Sequence, residues 1–206
     1  METQMEKPEY LGLLNTISLA ESEAGVYLEA WANATSDEEL AACLRLVAAR
    51  ESSHGDVFCR RIGELGYDLI QKPDPKAAAR LAKFANPKIS DLEKMGPERD
   101  ESAAADPVTD FFAETKQKIA DGAYDQMTGN LLTWYIAEEK DSGKRLGEVY
   151  AKVRERAGVG SKKKMMAAEP AMASGPSADA EAIMACMTSG FKSLEKSLEK
   201  LVKASR

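Results

Sequence analysis

The only histidine among the 206 residues lies in the stretch Ala48-Ala49-Arg50-Glu51-Ser52-Ser53-His54. Glu51 and His54 fall on an apolar face that repeats every three or four residues, as one side of a helix does. The apolar members of this face are Leu40, Leu44, Val47, Phe58, Ile62 and Leu65. Burying a carboxylate and an imidazole is costly unless something satisfies them. Spaced three residues apart, the two side chains lie next to each other and can reach one ion.

A second acid interrupts an apolar face in the preceding segment. That face consists of Tyr10, Leu14, Ile17, Ala24, Leu28 and Trp31, and the position that it skips is Glu21. The helix is predicted to end near Asn33, and Ser36 with Glu39 predicts a capping box at the start of the next helix. Glu21 and Glu51 are each fifteen residues from Ser36. If the two helices pack antiparallel, the two carboxylates lie at the same height.

Glu21 on one helix, with Glu51-x-x-His54 on the next, resembles the first half of the ferritin-like, rubrerythrin-type di-iron proteins. In that family each half of a four-helix bundle supplies one Glu from one helix and Glu-x-x-His from its partner. The resemblance covers residues 8–157 and is strong over about the first sixty. It implies an all-α, ferritin-like four-helix bundle over residues 1–158, with a long crossover between helices 2 and 3. It also implies iron as cofactor, one or two ions, with manganese as an alternative.

The crossover corresponds to a segment between Gly66 and Asp106 whose composition changes to Lys, Pro, Asp and Ala. Two short helices are predicted in it, one within residues 75–85 and one that starts at Ser90. Glu93 completes a capping box with Ser90. A ferritin-like fold needs such a connection because its third helix starts at the far end of the bundle.

The second half of the sequence repeats the metal motif incompletely. The third helix is predicted to begin at Asp106-Pro107, and its apolar face is Val108, Phe112, Thr115 and Ile119. The fourth carries Leu132, Ile136, Leu146, Val149 and Val153 and ends before Gly158. In its register, Glu139 and Ser142 match Glu51 and His54. This pair resembles a second Glu-x-x-His in which serine replaces histidine.

The ligand from the third helix stays open. Glu114 is its nearest acid, but it lies one position off the apolar face and is level with Glu139 only if the turn falls near Gln126. The turn signals are instead Asp121-Gly122 and Thr128-Gly129-Asn130. Asp110, Glu138 and Asp141 are alternative ligands. With that position open, the predicted metal ligands are Glu21, Glu51, His54, Glu139 and Glu114. This set is compatible with one bound ion, with a loosely bound pair of ions or with none.

The remaining C-terminal part is predicted to contain a flexible linker, residues 159–178, and an amphipathic, coiled-coil-like helix, residues 179–206. The apolar positions of that helix are Met184, Met187, Phe191, Leu194, Leu198 and Leu201. This seam favours self-association into a homo-oligomer, and docking onto the bundle is the alternative.

Composition excludes several classes of protein. The net charge of −6 argues against a nucleic-acid partner. The first nine residues contain no apolar signal region, and no stretch is apolar enough to span a bilayer, which predicts a soluble, cytoplasmic protein without a membrane partner. Cys43, Cys59 and Cys186 form no Cys-x-x-Cys pair. A rubredoxin module is therefore excluded, and any electron donor would be a separate protein.

Two classes of function fit this sequence. In the first, the protein binds iron and oxidises it, or reduces peroxide or oxygen at a carboxylate-bridged centre, as a non-haem iron oxidoreductase. In the second, a degenerate ferritin-like bundle acts as a structural or adaptor protein through its C-terminal helix. Taken singly, His54 can be a core histidine, Glu51 an arginine partner and Glu21 a helix cap, but all three in one layer favour a ligand set. For Glu139, a solvated acid is an equally good interpretation.

Overall fold

The computed structural model describes residues 7–72, 74–96 and 107–159, with only the backbone for residues 107–110. These residues form six α-helices and no strand, which confirms the all-α prediction for this part of the chain. Within the described ranges, no helix has the length and apolar character that a membrane crossing requires. The predicted linker beyond Val159 and the predicted helix 179–206 lie outside the described residues.

Four of the helices are long and two are short. They are α1 (Leu11–Ala34), α2 (Glu38–Glu64), α3 (Ala77–Ala85), α4 (Asp91–Met95), α5 (Pro107–Ala120) and α6 (Gln126–Arg156). Helix α2 packs along α1 and also contacts α6, while α3 packs on α1. Helices α4 and α5 each contact α6. The two short helices lie in the predicted crossover segment, close to their predicted positions.

Helices α1 and α2 approach each other closely through two glycines. A Cβ atom on Gly25 would lie 3.0 Å from the carbonyl oxygen of Ala48, and one on Gly55 would lie 2.9 Å from the amide nitrogen of Ser22. The hydroxyl of Ser18 donates a hydrogen bond of 2.8 Å to the carbonyl oxygen of Gly55. The backbones therefore meet directly, which fixes the height of α1 against α2.

The buried apolar residues divide into two clusters separated by a polar layer. One cluster contains Leu14, Ile17, Phe58, Ile62, Leu132, Tyr135 and Ile136, among others. The other contains Ala24, Leu28, Trp31, Leu40, Leu44, Val47, Ala48, Leu146 and Val149, among others. The interval between them falls at residues 18–23 of α1, 49–57 of α2 and 137–145 of α6. Every residue of the predicted metal motif except Glu114 lies in this interval.

Two local predictions about helix and turn positions were wrong. The N-cap of α2 is Asp37 rather than Ser36, because the Asp37 carboxylate accepts a hydrogen bond of 3.0 Å from the amide of Leu40. Glu39 pairs with cations of α6 instead of closing a capping box. The predicted turn at residues 128–130 lies inside α6. The turn at Gly122, with φ of 74°, and the capping box of Ser90 with Glu93 are confirmed.

Candidate metal centre

The polar layer brings together four acidic or imidazole side chains from three helices. Glu21 comes from α1, Glu51 and His54 from α2, and Glu139 from α6. Each offers one ligand atom, and these four atoms all lie within 4.8 Å of one another. None of the four residues is more than 2% exposed. We call this group the Glu3His cluster.

The facing atoms of the Glu3His cluster lack hydrogen-bond partners among the described residues. They are Oε2 of Glu21, Oε2 of Glu51, Nδ1 of His54 and Oε1 of Glu139. The Nδ1 atom of His54 lies 3.3 Å from the Glu139 oxygen and 3.9 Å from each of the other two oxygens. Buried polar atoms are almost always satisfied in folded proteins. Four that converge on one point are the arrangement that a bound cation satisfies.

Hydrogen bonds on the outer side hold two of these side chains in place. The Nε2 atom of His54 lies 2.9 Å from a carboxylate oxygen of Glu138. When the imidazole donates its Nε2 proton to Glu138, its Nδ1 atom presents a lone pair to the cluster. The hydroxyl of Tyr135 donates a hydrogen bond of 2.7 Å to Oε1 of Glu21, which leaves Oε2 free to face the centre.

Aromatic rings restrict the imidazole further. The ring centroids of Trp134 and Tyr135 lie 4.9 and 5.1 Å from that of His54, each nearly perpendicular to it. Edge-to-face contacts of this kind are favourable and orient the ring. The imidazole is therefore held both by hydrogen bonding and by packing.

The electrostatics of the Glu3His cluster favour a cation. Burial raises the pKa of Glu21 well above its usual value, and the charges of Glu139 and Glu51 raise it further. Burial also raises the pKa of Glu139 to about 7, with Glu51 adding to the effect. For His54, burial lowers the pKa, but the surrounding carboxylates of Glu139, Glu21 and Glu51 outweigh burial and raise it to about 12. Without a metal the cluster retains protons, which a metal ion would displace.

The two residues of the second Glu-x-x-His-like pair, Glu139 and Ser142, have different surroundings. Glu139 joins the Glu3His cluster, in agreement with its predicted register. Ser142 is also buried, but its hydroxyl accepts a hydrogen bond of 3.1 Å from the guanidinium of Arg50. The same guanidinium nitrogen lies 2.7 Å from the carboxylate of Asp141. A cation of the protein itself therefore lies beside the position that matches His54.

Glu114, the predicted ligand of the third helix, lies outside the Glu3His cluster. Its side chain is 64% exposed and pairs with Lys118 at 2.6 Å. The turn between α5 and α6 covers residues 121–125, which is before the position near Gln126 that would make Glu114 level with Glu139. The side chain of Asp110, an alternative, is outside the described part of the chain.

Three contacts of the site were not predicted from the sequence. The sequence predicts Glu138 only as an alternative ligand, and it predicts no role for Tyr135 or Arg50 in the metal motif. Spacing gives a signal for one of them, because Tyr135 lies four residues before Glu139 on the same face of α6. The partners of Glu138 and Arg50 depend on side-chain packing between helices.

Comparison of the chain with protein-family models, with curated proteins and with solved structures finds no match. The geometry of the Glu3His cluster is therefore the basis for inferring what the protein does.

Proposed function

We propose that this protein is a ferritin-like metal-binding protein that holds iron at Glu21, Glu51, His54 and Glu139. The observation that carries this proposal is the convergence of four buried ligand atoms without other partners among the described residues. Three acids and an imidazole buried together are unfavourable unless a cation compensates them. In the metal-free protein, protons held by His54 and the carboxyl groups compensate part of this cost, and a bound metal ion would displace them.

The donor atoms favour iron, with manganese as the alternative. Three carboxylates and one imidazole combine the oxygen ligands that suit manganese with a nitrogen ligand that suits iron. Neither of the two cysteines in the described residues, Cys43 and Cys59, belongs to the cluster, so thiolate-preferring ions are less well matched. Four protein donors also leave positions free on an octahedral ion for a small substrate.

We further propose that the site serves oxidation and reduction, either of iron itself or of peroxide or oxygen. When bound, iron supplies the electrons for this chemistry. The chain contributes a dry environment, since all four ligands are buried, and it orients the ligands through Tyr135 and Glu138. Glu138 is 30% exposed and bonded to His54, so it is suited to pass a proton between the ligand shell and solvent. A separate protein would supply electrons.

The ferritin-like arrangement is part of the same proposal. Helices α1 and α2 would form one half of a four-helix bundle and α5 and α6 the other, with α3 and α4 in the crossover. The close packing of α1 on α2, and the contact of α6 with α2, support this assignment. The polar layer across α1, α2 and α6 is where this fold class holds its metals.

Metal analysis of the full chain tests the proposal. The protein is expressed in iron-supplemented cells, and iron and manganese are counted per chain. We expect bound iron in the wild type and a clear loss of metal in His54→Ala and in Glu51→Gln. Glu114→Gln, which removes an exposed acid, is the control and should retain the metal.

Thermal unfolding gives an independent readout. A ligand that binds only the native state raises its stability, so iron should raise the melting temperature of the wild type but not of His54→Ala. A chain that binds no metal, and whose melting temperature iron leaves unchanged, would refute the proposal. The alternative function, that of a structural or adaptor protein, would then remain.

A further inference from the structure

We infer that the site takes a single metal ion, because the guanidinium of Arg50 is bonded to Ser142, the position where the second half of the motif would need its histidine. This inference rests on the proposed metal-binding function and goes beyond it by fixing the number of ions. A carboxylate-bridged pair of ions requires donors on both halves of the motif. The second half supplies only Glu139, and the hydroxyl of Ser142, at its remaining motif position, is bonded to Arg50.

The donor count supports one ion. The four orphaned ligand atoms form one group, each within 4.8 Å of the others, and Glu139 from α6 already belongs to it. The 206 residues contain a single histidine, so they supply no second imidazole ligand. The residue that matches His54 in the second half is Ser142.

The environment of Ser142 disfavours a second ion. Arg50 Nη1 is 3.1 Å from the Ser142 hydroxyl and 2.7 Å from the Asp141 carboxylate. Asp141 also accepts a hydrogen bond of 2.6 Å from Nε of Arg145. Arginine stays protonated at any ordinary pH, so its charge is permanent. A second divalent cation beside it would meet like-charge repulsion and would find the hydroxyl and carboxylate oxygens already engaged.

The contact between Arg50 and Ser142 follows from their positions close to the cluster ligands in the sequence. Arg50 immediately precedes Glu51 on α2, and Ser142 lies three residues after Glu139 on α6. The two helices that supply cluster ligands therefore also bring Arg50 and Ser142 together. Arg50 on α2 therefore pairs with Ser142 and Asp141 on α6, next to the helix positions that carry the ligands.

Metal titration of the full chain, stripped of metal, tests the inference. Mn²⁺ is the probe, and bound manganese is counted per chain after desalting. We expect saturation at about one ion per chain and a resolved hyperfine spectrum of an isolated Mn²⁺ in electron paramagnetic resonance. Saturation at two ions, with the broadened spectrum of a coupled pair, would overturn the inference and leave the proposed function intact. No binding of Mn²⁺ or of Fe²⁺ would overturn both.

A gain of binding tests the role assigned to Arg50. In the double variant Arg50→Gln, Ser142→His the cation is removed and the second motif is completed, so we expect stoichiometry to rise from about one ion to about two. Ser142→His with Arg50 retained is the matched control and should stay at about one. If the folded double variant also binds one ion, Arg50 is not what limits the site. Helical content by circular dichroism establishes folding, and the wild-type titration holds independently.

Discussion

His54 and Glu138 face each other across the interface of α2 and α6, with 2.9 Å between Nε2 and the carboxylate oxygen. The imidazole is fully buried, whereas the Glu138 side chain is 30% exposed. A ligand histidine whose second nitrogen is bonded to a carboxylate is fixed in tautomer and made more basic. Glu138 thus connects the interior of the Glu3His cluster with the surface.

Glu138→Gln should weaken metal binding by about 10- to 100-fold, the usual effect of removing such a partner. The neutral amide still fills the space, so the expected change reflects the lost charge. The measurement is the dissociation constant from a competition titration with a chelator. Glu148→Gln, at an exposed acid of the same helix, is the control and should bind as the wild type does. Equal affinity in Glu138→Gln would show that this contact does not tune His54.

Tyr135→Phe should destabilise the protein by about 1–3 kcal/mol, because Oε1 of buried Glu21 loses its hydrogen-bond donor. Burial and the neighbouring charges of Glu21 and Glu139 raise the pKa of Tyr135, so the phenol stays protonated and can donate. Urea unfolding of the metal-free protein measures the loss. Tyr10→Phe removes an exposed hydrogen bond to Asp125, where water can replace it, and should cost less. An equal loss in the two variants would contradict a specific role for Tyr135.

The periodic pattern predicted the helices well because it reports burial directly. Leu14, Ile17, Leu28 and Trp31 of the first apolar face are fully buried, and so are Leu40, Leu44 and Val47 of the second. The acids that interrupt these faces are buried as well. Equal spacing from the short connection predicted that Glu21 and Glu51 meet, since a helix rises by a constant amount per residue.

The α5 side of the site was less predictable. Glu114 is the nearest acid on this helix, but its height in the bundle depends on where the turn falls. A shift of a few residues rotates a helical side chain to another face. The turn ends at Asp125, whose carboxylate caps α6 by accepting hydrogen bonds from the amides of Met127 and Thr128. Similarly, the partner of Arg50 depends on the packing of two helices, which one-dimensional spacing does not encode.

Gly25→Ala and Gly55→Ala should each destabilise the protein by about 1–3 kcal/mol, since an added methyl group would press on the partner backbone. Both should also lower metal content, because separating α1 from α2 moves Glu21 away from Glu51. Gly63→Ala is the matched control in α2, where nothing lies within 4 Å of an added Cβ atom. It should be neutral or stabilise by up to about 1 kcal/mol.

Denaturant unfolding and metal counting on the same samples of the glycine variants separate the two effects. Loss of stability with unchanged metal content would mean that the height of α1 against α2 does not set the cluster. If neither the stability nor the metal content falls, the close packing of α1 on α2 is contradicted.

Asp125 ties the start of α6 to its surroundings. Its carboxylate accepts hydrogen bonds from the amides of Met127 and Thr128, from the Tyr10 hydroxyl and from Arg61. Burial raises the pKa of Asp125, but its hydrogen bonds to Thr128, Tyr10 and Arg61 outweigh burial and hold the pKa well below the usual value. A group whose pKa is lower in the folded state stabilises the protein above its unfolded pKa, about 3.9 for aspartate.

This contribution of Asp125 is therefore fully present near neutral pH and is lost as the pH falls below about 4. Asp125→Ala, which removes the helix cap, should cost about 1 kcal/mol at pH 7. Asp125→Asn keeps a capping oxygen but cannot titrate, so its free energy of unfolding should fall less steeply with acid than that of the wild type. Urea unfolding of all three proteins between pH 3 and pH 7 measures both effects. Parallel acid profiles for the wild type and Asp125→Asn would mean that other carboxylates control the acid sensitivity.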